Sequence, residues 1–111
     1  MVDHRTDLLK GTLDLLILKT LDLEPMHGWG ISERIQLFSD AVLQVPTGSL
    51  YPALQRLQRQ GLIVAGWRRT ENNRRARYYK LTPDGRRRLR VERESWDRMS
   101  LAINRVLQVS Y

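Results

Sequence analysis

The sequence predicts a mainly α-helical fold that carries one two-stranded β-hairpin and ends in a long helix. Before residue 60, apolar residues recur in three segments at the spacing of amphipathic helices. Between residues 62 and 81 the spacing changes to the alternation of strands, and Thr82-Pro83-Asp84-Gly85 then opens a further helix. The chain has 111 residues, the size of one small domain.

The first helix is predicted from about Thr6 to Leu21, and Pro25 cannot belong to it. Its leucines lie on more than one side, which indicates a second contact surface, such as a partner subunit. The second helix is predicted over residues 31–38, with Gly30 or Ser32 as its N-cap.

The third helix is predicted over about residues 47–59. Its inner face consists of leucines at helical spacing, which are Leu50, Leu54 and Leu57. Gly61 follows as the glycine that ends a helix in the left-handed conformation. Because Pro52 is tolerated best in a first turn, regular helix is expected to begin near Ser49.

The hairpin is predicted from strands at residues 62–68 and 76–81, joined by turn-forming residues at 71–74. Tyr78 and Tyr79 must lie on opposite faces of a strand, so one is expected to be packed and the other exposed.

The last helix is predicted from Thr82, its N-cap, to about Val109. Its apolar residues follow steps of seven, three, four and three, the spacing of a short coiled-coil seam. The seam comprises Leu89, Trp96, Met99, Ile103 and Val106.

Positive charge is concentrated in the C-terminal part of the chain. The net charge is +7, of which residues 1–67 carry −1 and residues 68–111 carry +8. Residues 68–90 hold ten basic side chains against two acidic ones, and nine of the ten are arginine, which suits bidentate contacts with phosphate and guanine. This asymmetry predicts a polyanion partner, most often nucleic acid; a solvated, highly soluble surface is the alternative.

Composition disfavours several other functional classes. Without cysteine the chain has no disulfide, no thiolate nucleophile and no cysteine-based metal site. His4 and His27 form no recognisable catalytic or metal-binding arrangement, so no catalytic residue, metal or cofactor is expected. The N-terminus lacks a signal-peptide pattern and no apolar run is long enough to cross a membrane. We therefore expect a cytoplasmic, non-enzymatic protein without a membrane partner.

Three helices followed by a β-hairpin form the winged helix-turn-helix arrangement, in which the third helix enters a major groove of DNA. The N-terminal end of that helix supplies the candidate contacts Thr47, Gly48, Ser49 and Tyr51. Gln55 and Arg56 follow further along the helix, and Arg59 is nearer its far end. Glutamine is suited to adenine, and arginine to guanine or phosphate. Core packing is the alternative for Tyr51, and a solvated helix surface is the alternative for Arg56 and Arg59.

The hairpin then becomes the wing, which reaches the DNA that flanks the groove. Its candidate contacts are the arginines of the two strands and the turn, Arg68, Arg69, Arg74, Arg75 and Arg77. Contacts of this kind are made mainly to phosphates, so they add affinity but carry little sequence information.

Four segments resemble a known family. They are LLKGTLDLLILKTL, HGWGISERI, GSLYPALQRLQRQGLI and RRARYYKLTPDGRRRL, which span about residues 8–90 in the order that the family has. The chain thereby resembles the PadR family of bacterial transcriptional regulators, in particular its short members with one C-terminal helix. Trp29 stands where this family more often has tyrosine.

The resemblance implies a homodimeric repressor at the bacterial nucleoid that binds an inverted-repeat operator in double-stranded DNA. Residues 1–82 would form the DNA-binding domain and residues 83–111 the dimerisation helix of one compact unit. Each C-terminal helix would pack on the partner's first helix, through Leu9, Leu13, Leu16, Leu89, Trp96, Met99, Ile103 and Val106. Some family members respond to a small aromatic effector. Trp96 is the candidate for such a site, with plain packing in the dimer core as the alternative.

Three other functions remain as alternatives. A non-specific nucleoid- or RNA-binding protein would use the same arginines, because they hold any phosphate backbone. An enzyme is disfavoured by the lack of a catalytic arrangement. A protein–protein adaptor would not need the dense positive charge of residues 68–90.

Overall fold

The computed structural model describes residues 12–111. It shows four helices and a small three-stranded antiparallel sheet, which confirms the predicted winged helix with a long C-terminal helix. The elements are α1 (Leu13–Leu23), β1 (Met26–His27), α2 (Gly28–Phe38), α3 (Thr47–Arg59), β2 (Ile63–Arg69), β3 (Arg75–Leu81) and α4 (Pro83–Leu107). The predicted start of the first helix at Thr6 lies outside the described residues.

One hydrophobic core joins the first three helices to the base of the sheet. Its fully buried side chains come from each of these elements and are Ile17, Leu18, Ile31, Leu50, Leu54, Leu57 and Ile63. The three leucines of α3 are those whose spacing predicted an inner face. Burying each such side chain stabilises the fold by about 1.5–3 kcal/mol, so this cluster fixes how α3 lies against α1 and the sheet.

The sheet contains one strand that the sequence did not predict. β1 pairs with β3, placing Met26 opposite Tyr79 and His27 opposite Tyr78, and the strand order is β1-β3-β2. A strand of two residues has no alternation to detect, so its position depends on the partner strand. β2 and β3 pair from Ile63 opposite Leu81 to Arg69 opposite Arg75, close to the predicted bounds. Tyr79 is buried and Tyr78 is half-buried, so the predicted division of the two tyrosines is confirmed only for Tyr79.

α3 has the predicted bounds, Thr47 to Arg59, and its regular helix begins two residues before the start near Ser49 that Pro52 suggested. The carbonyl of Pro46 accepts hydrogen bonds from the N–H groups of Ser49 and Leu50, both at 3.0 Å, so the first turn is already formed there. Pro52 therefore lies in the second turn. The Pro52 ring and Gly48 are both exposed, so the Gly48 carbonyl that lacks a helical donor there faces water.

The end of α3 follows the prediction. Gly61 has a φ of 74°, and the N–H groups of Gly61 and Leu62 donate to the carbonyls of Gln58 and Leu57, each at 3.0 Å. This is the Schellman pattern, in which a left-handed residue returns the chain and satisfies the last carbonyls. β2 starts directly after it.

His27 joins α2 to the sheet. Its Nδ1 accepts a hydrogen bond of 2.9 Å from the Gly30 N–H, so His27 is the N-cap, and Gly30 and Ser32 are not. Its ring stacks on Trp29, with centroids 3.5 Å apart, and meets the Tyr78 ring edge-on at 5.2 Å. Burial lowers the pKa of His27, because the charged imidazolium loses hydration; Glu33 acts in the opposite direction.

α4 starts as predicted and then leaves the core. Thr82 caps it by accepting a 3.0 Å hydrogen bond from the Gly85 N–H, and its hydroxyl donates to the Gly61 carbonyl at 2.7 Å. Gly85 is buried against the Leu62 carbonyl, where a Cβ would collide with that oxygen. Beyond Leu89, no residue of this helix is buried in the described chain.

Replacing Gly85 by alanine is expected to lower the free energy of unfolding by about 1–3 kcal/mol or more, because the backbone of Leu62 cannot move aside without disturbing α3. Gly48→Ala is the control, since a Cβ at Gly48 meets nothing within 4 Å and alanine favours the helix. Urea unfolding of both variants at one protein concentration measures the effect. Equal midpoints for the two variants would contradict this account of Gly85.

The stability that His27 contributes is expected to depend on pH. Because its folded pKa lies below the ordinary value of 6.5, the contribution is complete above about pH 6.5 and is lost as the pH falls through the lowered pKa. Asparagine also caps helices but does not titrate. Below about pH 6.5, the free energy of unfolding of the wild type should therefore fall relative to that of His27→Asn. A difference that stays constant down to pH 5 would rule out this titration.

Candidate nucleic-acid interface

The wing, which consists of β2, β3 and the turn between them, has two faces that differ in their surroundings. On one face Ile63, Tyr79 and Leu81 are buried in the core. Side chains alternate along a strand, so the same face continues outward beyond the core. The outward part is its inner face, which carries Trp67, Arg69, Arg75 and Arg77.

The inner face and α3 meet in an open groove. Gln55, Gln58 and Arg59 of α3 line this groove together with Arg77 of β3. The contact arises because the Schellman turn after Arg59 leads directly into β2, so the hairpin leans on the helix that precedes it. Amide and guanidinium donors of helix and wing are thereby combined on one surface.

The N-terminal end of α3 is open to solvent. Thr47 and Gly48 are exposed and Ser49 is half-buried. Tyr51 is 43% exposed, which is inconsistent with the alternative that it is a core residue. Its ring rests on Gly28, where a Cβ would come within 2.7 Å of the tyrosine hydroxyl, so α2 supports the Tyr51 ring from one side.

The wing arginines differ in the side chains that their guanidinium groups contact. Arg69 Nη1 donates to Asn73 Oδ1 at 2.7 Å, and Asn73 adopts the predicted left-handed turn conformation with a φ of 59°. The Arg75 guanidinium lies 5.2 Å from the centroid of the Trp67 ring. These contacts fix the two guanidinium groups on the inner face without neutralising them.

The other three predicted wing arginines lie at different places. Arg68 is on the opposite face, with its guanidinium 4.0 Å from the Tyr78 ring centroid. Arg74 is exposed in the turn, and Arg77 reaches the groove with α3. Of the predicted set, the structure thus brings Arg69, Arg75 and Arg77 to the inner face and separates Arg68 from them.

The charge of the wing is not compensated locally. Within residues 12–111, the ion pairs at 4.0 Å or less join Arg34 to Glu24, Arg56 to Asp14, Arg86 to Asp22 and Arg87 to Asp84. None of the five wing arginines has a carboxylate partner in that part of the chain. Their positive charge is therefore available to an external anion.

Arg56 differs from the other candidate contacts of α3, because its guanidinium pairs with the carboxylate of Asp14 on α1. Gln55, the neighbouring residue, has an exposed side chain beside the groove. The helix therefore presents Gln55 toward the wing and Arg56 toward α1.

Sequence reasoning missed two residues of this surface, Gln58 in the groove and Trp67 on the inner face. It left Arg59 open between a DNA contact and a solvated helix surface, and Arg59 lies in the groove. Trp67 is 62% exposed, although a large aromatic ring in a strand usually packs. The alternation of β2 could have predicted the position of Trp67, because Trp67 lies on the same face of the strand as Ile63 and Ala65. The groove residues have no such signal, because no local pattern reports the contact of α3 with the wing.

The residues of the predicted dimer interface fall into a buried set and an exposed set. Leu13 and Leu89 are buried in the core of their own chain, and Leu16 is half-buried against it. Leu9 lies outside the described residues. The remaining seam residues are large, apolar and exposed on one side of α4, and they are Trp96, Met99, Ile103 and Val106.

Two other kinds of site were sought in the described chain. From Thr12 to Tyr111, no group of three or more histidine, aspartate or glutamate side chains could hold a metal ion. The same residues include no helix that is long and apolar enough to cross a membrane.

Comparisons with known proteins agree with the winged fold. The chain is similar to a transcriptional regulator from Clostridium thermocellum, with 29% identity and a TM-score of 0.81 over 89% of this chain and 96% of that one. A PadR-like transcriptional regulator from Bacillus cereus also has 29% identity and a TM-score of 0.81, over 94% and 99% of the two chains. An uncharacterised protein from Lysinibacillus sphaericus is 28% identical over 82 residues, which are 74% of this chain and 75% of that protein.

The family comparison agrees with these matches. Residues 17–91, which include α2, α3 and the whole wing, match the sequence model of the PadR-like family. Members of this family are DNA-binding transcriptional regulators and are generally not enzymes. A DNA-binding regulator needs an exposed, positively charged surface, as is formed by the end of α3, its groove with the wing and the wing arginines. The chain belongs to the PadR-like family of transcriptional regulators.

Proposed function

We propose that the chain is a transcriptional repressor that binds an inverted-repeat operator as a homodimer in the bacterial cytoplasm. The observation that carries this proposal is the inner face of the wing, where arginines without carboxylate partners in residues 12–111 adjoin the exposed side of α3. Double-stranded DNA offers phosphates to the wing arginines and base edges to the exposed side of α3.

In this proposal α3 is the recognition helix. Thr47, Gly48, Ser49 and Tyr51 lie at its N-terminal end, where backbone N–H groups and small donors favour a phosphate. Gln55 is placed to read a base edge, most suitably adenine. Arg56 contacts DNA only when its ion pair with Asp14 opens.

The wing supplies affinity. Arg69, Arg75 and Arg77 contact phosphates from the inner face, and Arg74 does so from the turn. Arg68 contributes mainly through its charge, because it lies on the opposite face.

Dimerisation is assigned to the last helix. Residues 1–82 carry the DNA-binding unit and residues 83–111 carry the dimer contacts. Trp96, Met99, Ile103 and Val106 are apolar and exposed in a single chain, which supports burial against the first helix of a partner. Two recognition helices related by a two-fold axis would enter successive major grooves about 34 Å apart.

A small aromatic effector is the remaining part of the proposal. Trp96 is 40% exposed in a single chain, so its ring is accessible to a planar ligand at the centre of a dimer. The exposed Trp96 ring could equally be covered by the partner subunit, with no ligand bound. Titration of the intact dimer with phenolic acids distinguishes a ligand site from packing alone.

The experiment that tests the proposed function is a gel shift with the DNA upstream of the gene for this chain, in the presence of unrelated competitor duplex. A repressor should prefer its operator by at least about 10³-fold and protect two half-sites. Equal competition by any duplex or by double-stranded RNA would favour the alternative, a non-specific nucleoid- or RNA-binding protein.

Removal of two inner-face arginines should change the salt dependence of DNA binding. For Arg75→Ala with Arg77→Ala, the slope of log K against log salt should fall in magnitude by about 3.6, since the homodimer loses four phosphate contacts and each contributes about 0.9. Arg90→Ala with Arg98→Ala removes the same charge from α4 and serves as the control. Equal slopes for the two double variants would contradict phosphate contacts by the wing.

Ile103→Glu should raise the dimer dissociation constant at least about a hundredfold, because a two-fold interface contains the substitution twice and each buried isoleucine contributes about 1.5–3 kcal/mol. Leu101→Glu is the matched control, since Leu101 is also exposed but lies off the seam. Sedimentation equilibrium measures both constants. If Leu101→Glu dissociates the dimer and Ile103→Glu does not, the seam is assigned to the wrong side of α4.

A further inference from the structure

One ion pair connects the recognition helix to a helix that has no part in reading DNA. Arg56 Nη2 of α3 donates to Asp14 Oδ1 of α1, although the two residues are 42 positions apart in the chain. The side chains of Arg56 and Asp14 remain 44% and 39% exposed. The pair is therefore formed at the surface, next to the helix face that is proposed to meet DNA.

An exposed pair of this kind can exchange its partners. Water screens the attraction, so surface ion pairs add little to stability. A guanidinium also binds phosphate well, through two parallel hydrogen bonds. Asp14 lies in the first turn of α1, where the helix N-terminus stabilises its negative charge without Arg56. Release of Arg56 therefore leaves the carboxylate in a favourable place.

We propose that Asp14 sets the DNA affinity of the chain by competing with phosphate for Arg56. This inference rests on the proposed function, since it requires that α3 approach DNA. Arg56 and Asp14 together carry no net charge. Their approach to the phosphates therefore displaces almost no condensed counterions, and the pair contributes almost nothing to the salt dependence of binding.

The wing arginines behave differently in this account. They have no carboxylate partner in residues 12–111, so each phosphate that they contact releases a counterion without compensation. By pairing with Arg56, Asp14 thus lowers the electrostatic attraction to any duplex by one positive charge, while the charges of the wing arginines remain available. The chain holds α3 less tightly on any duplex as a result.

The test is the salt dependence of DNA binding by Asp14→Asn. Without the competing carboxylate, the slope of log K against log salt should steepen by about 1.8, since the homodimer has two copies of Arg56 and each contributes about 0.9. Affinity at 0.1 M salt should rise about sixtyfold on both operator and random duplex. Asp22→Asn is the control. Asp22 lies in the same helix and loses the same charge, but its partner, at 3.6 Å, is Arg86 of α4. Its slope should remain that of wild type.

A second variant separates competition from a structural role. Combined with Asp14→Asn, Arg56→Gln should remove the full gain of about 1.8, because the double variant lacks both the carboxylate and the cation and has the net charge of wild type. A purely structural ion pair would change the unfolding midpoint and leave all slopes equal, which would overturn the proposal. A double variant that keeps the steeper slope would also overturn it, because the gain would then not pass through Arg56.

Failure of this inference is distinguishable from failure of the proposed function. Wild-type protein that binds no duplex at low salt would contradict the proposed function and, with it, the competition. Wild-type binding to an operator together with equal slopes for Asp14→Asn and wild type would overturn the competition alone. Circular dichroism of each variant confirms that the compared proteins are folded.

Discussion

The arrangement of this protein depends on the backbone of one residue, Leu62. Its N–H ends α3, its carbonyl accepts a 3.1 Å hydrogen bond from the Thr82 N–H, and the same carbonyl packs on Gly85. α3, the wing and α4 therefore meet at this residue, and a Cβ added at Gly85 would collide with its carbonyl oxygen. The orientation of the wing and of α4 relative to α3 is determined at this junction.

Within residues 12–111, carboxylates neutralise some of the arginines on the helices and none of those on the wing. Arg34, Arg56 and Arg86 are paired in this way, whereas Arg59 and most arginines of α4 have no ion pair at 4.0 Å or less. The wing arginines instead lie on aromatic rings or amide oxygens, as Arg75 and Arg69 do, and these partners orient a guanidinium without cancelling its charge. The sequence concentrates positive charge in residues 68–90, but only the fold divides it into neutralised and available parts.

Local signals in the sequence predicted most of the fold. Thr82 and Gly61 act through neighbours within a few positions, so the sequence alone is enough to assign them as a cap and a helix end. β1 depends on residues 51 and 53 positions away and Arg56 on a partner 42 positions away, and no local pattern reports such contacts. The bounds predicted for α3 were those observed, while the later start suggested by Pro52 was two residues off because the packing of Leu50 and Leu54 outweighs the preference of proline for a first turn. The candidate site was predicted as a set of residues, while its division between two wing faces required the register of β2 and β3.

The tip of the wing extends beyond the core that supports its base. From Arg68 opposite Ala76 outward, no side chain of the hairpin is buried, so the ladder between two strands is its main support. A two-stranded ribbon of this kind is marginally stable in water, and its amide hydrogens should exchange far sooner than those of α3. If the wing and α3 bind DNA as proposed, the tip loses conformational entropy when it settles on a phosphate backbone. Dissociation would then begin at the wing while α3 is still in its groove, and it would be a sequence of small steps instead of a single large one.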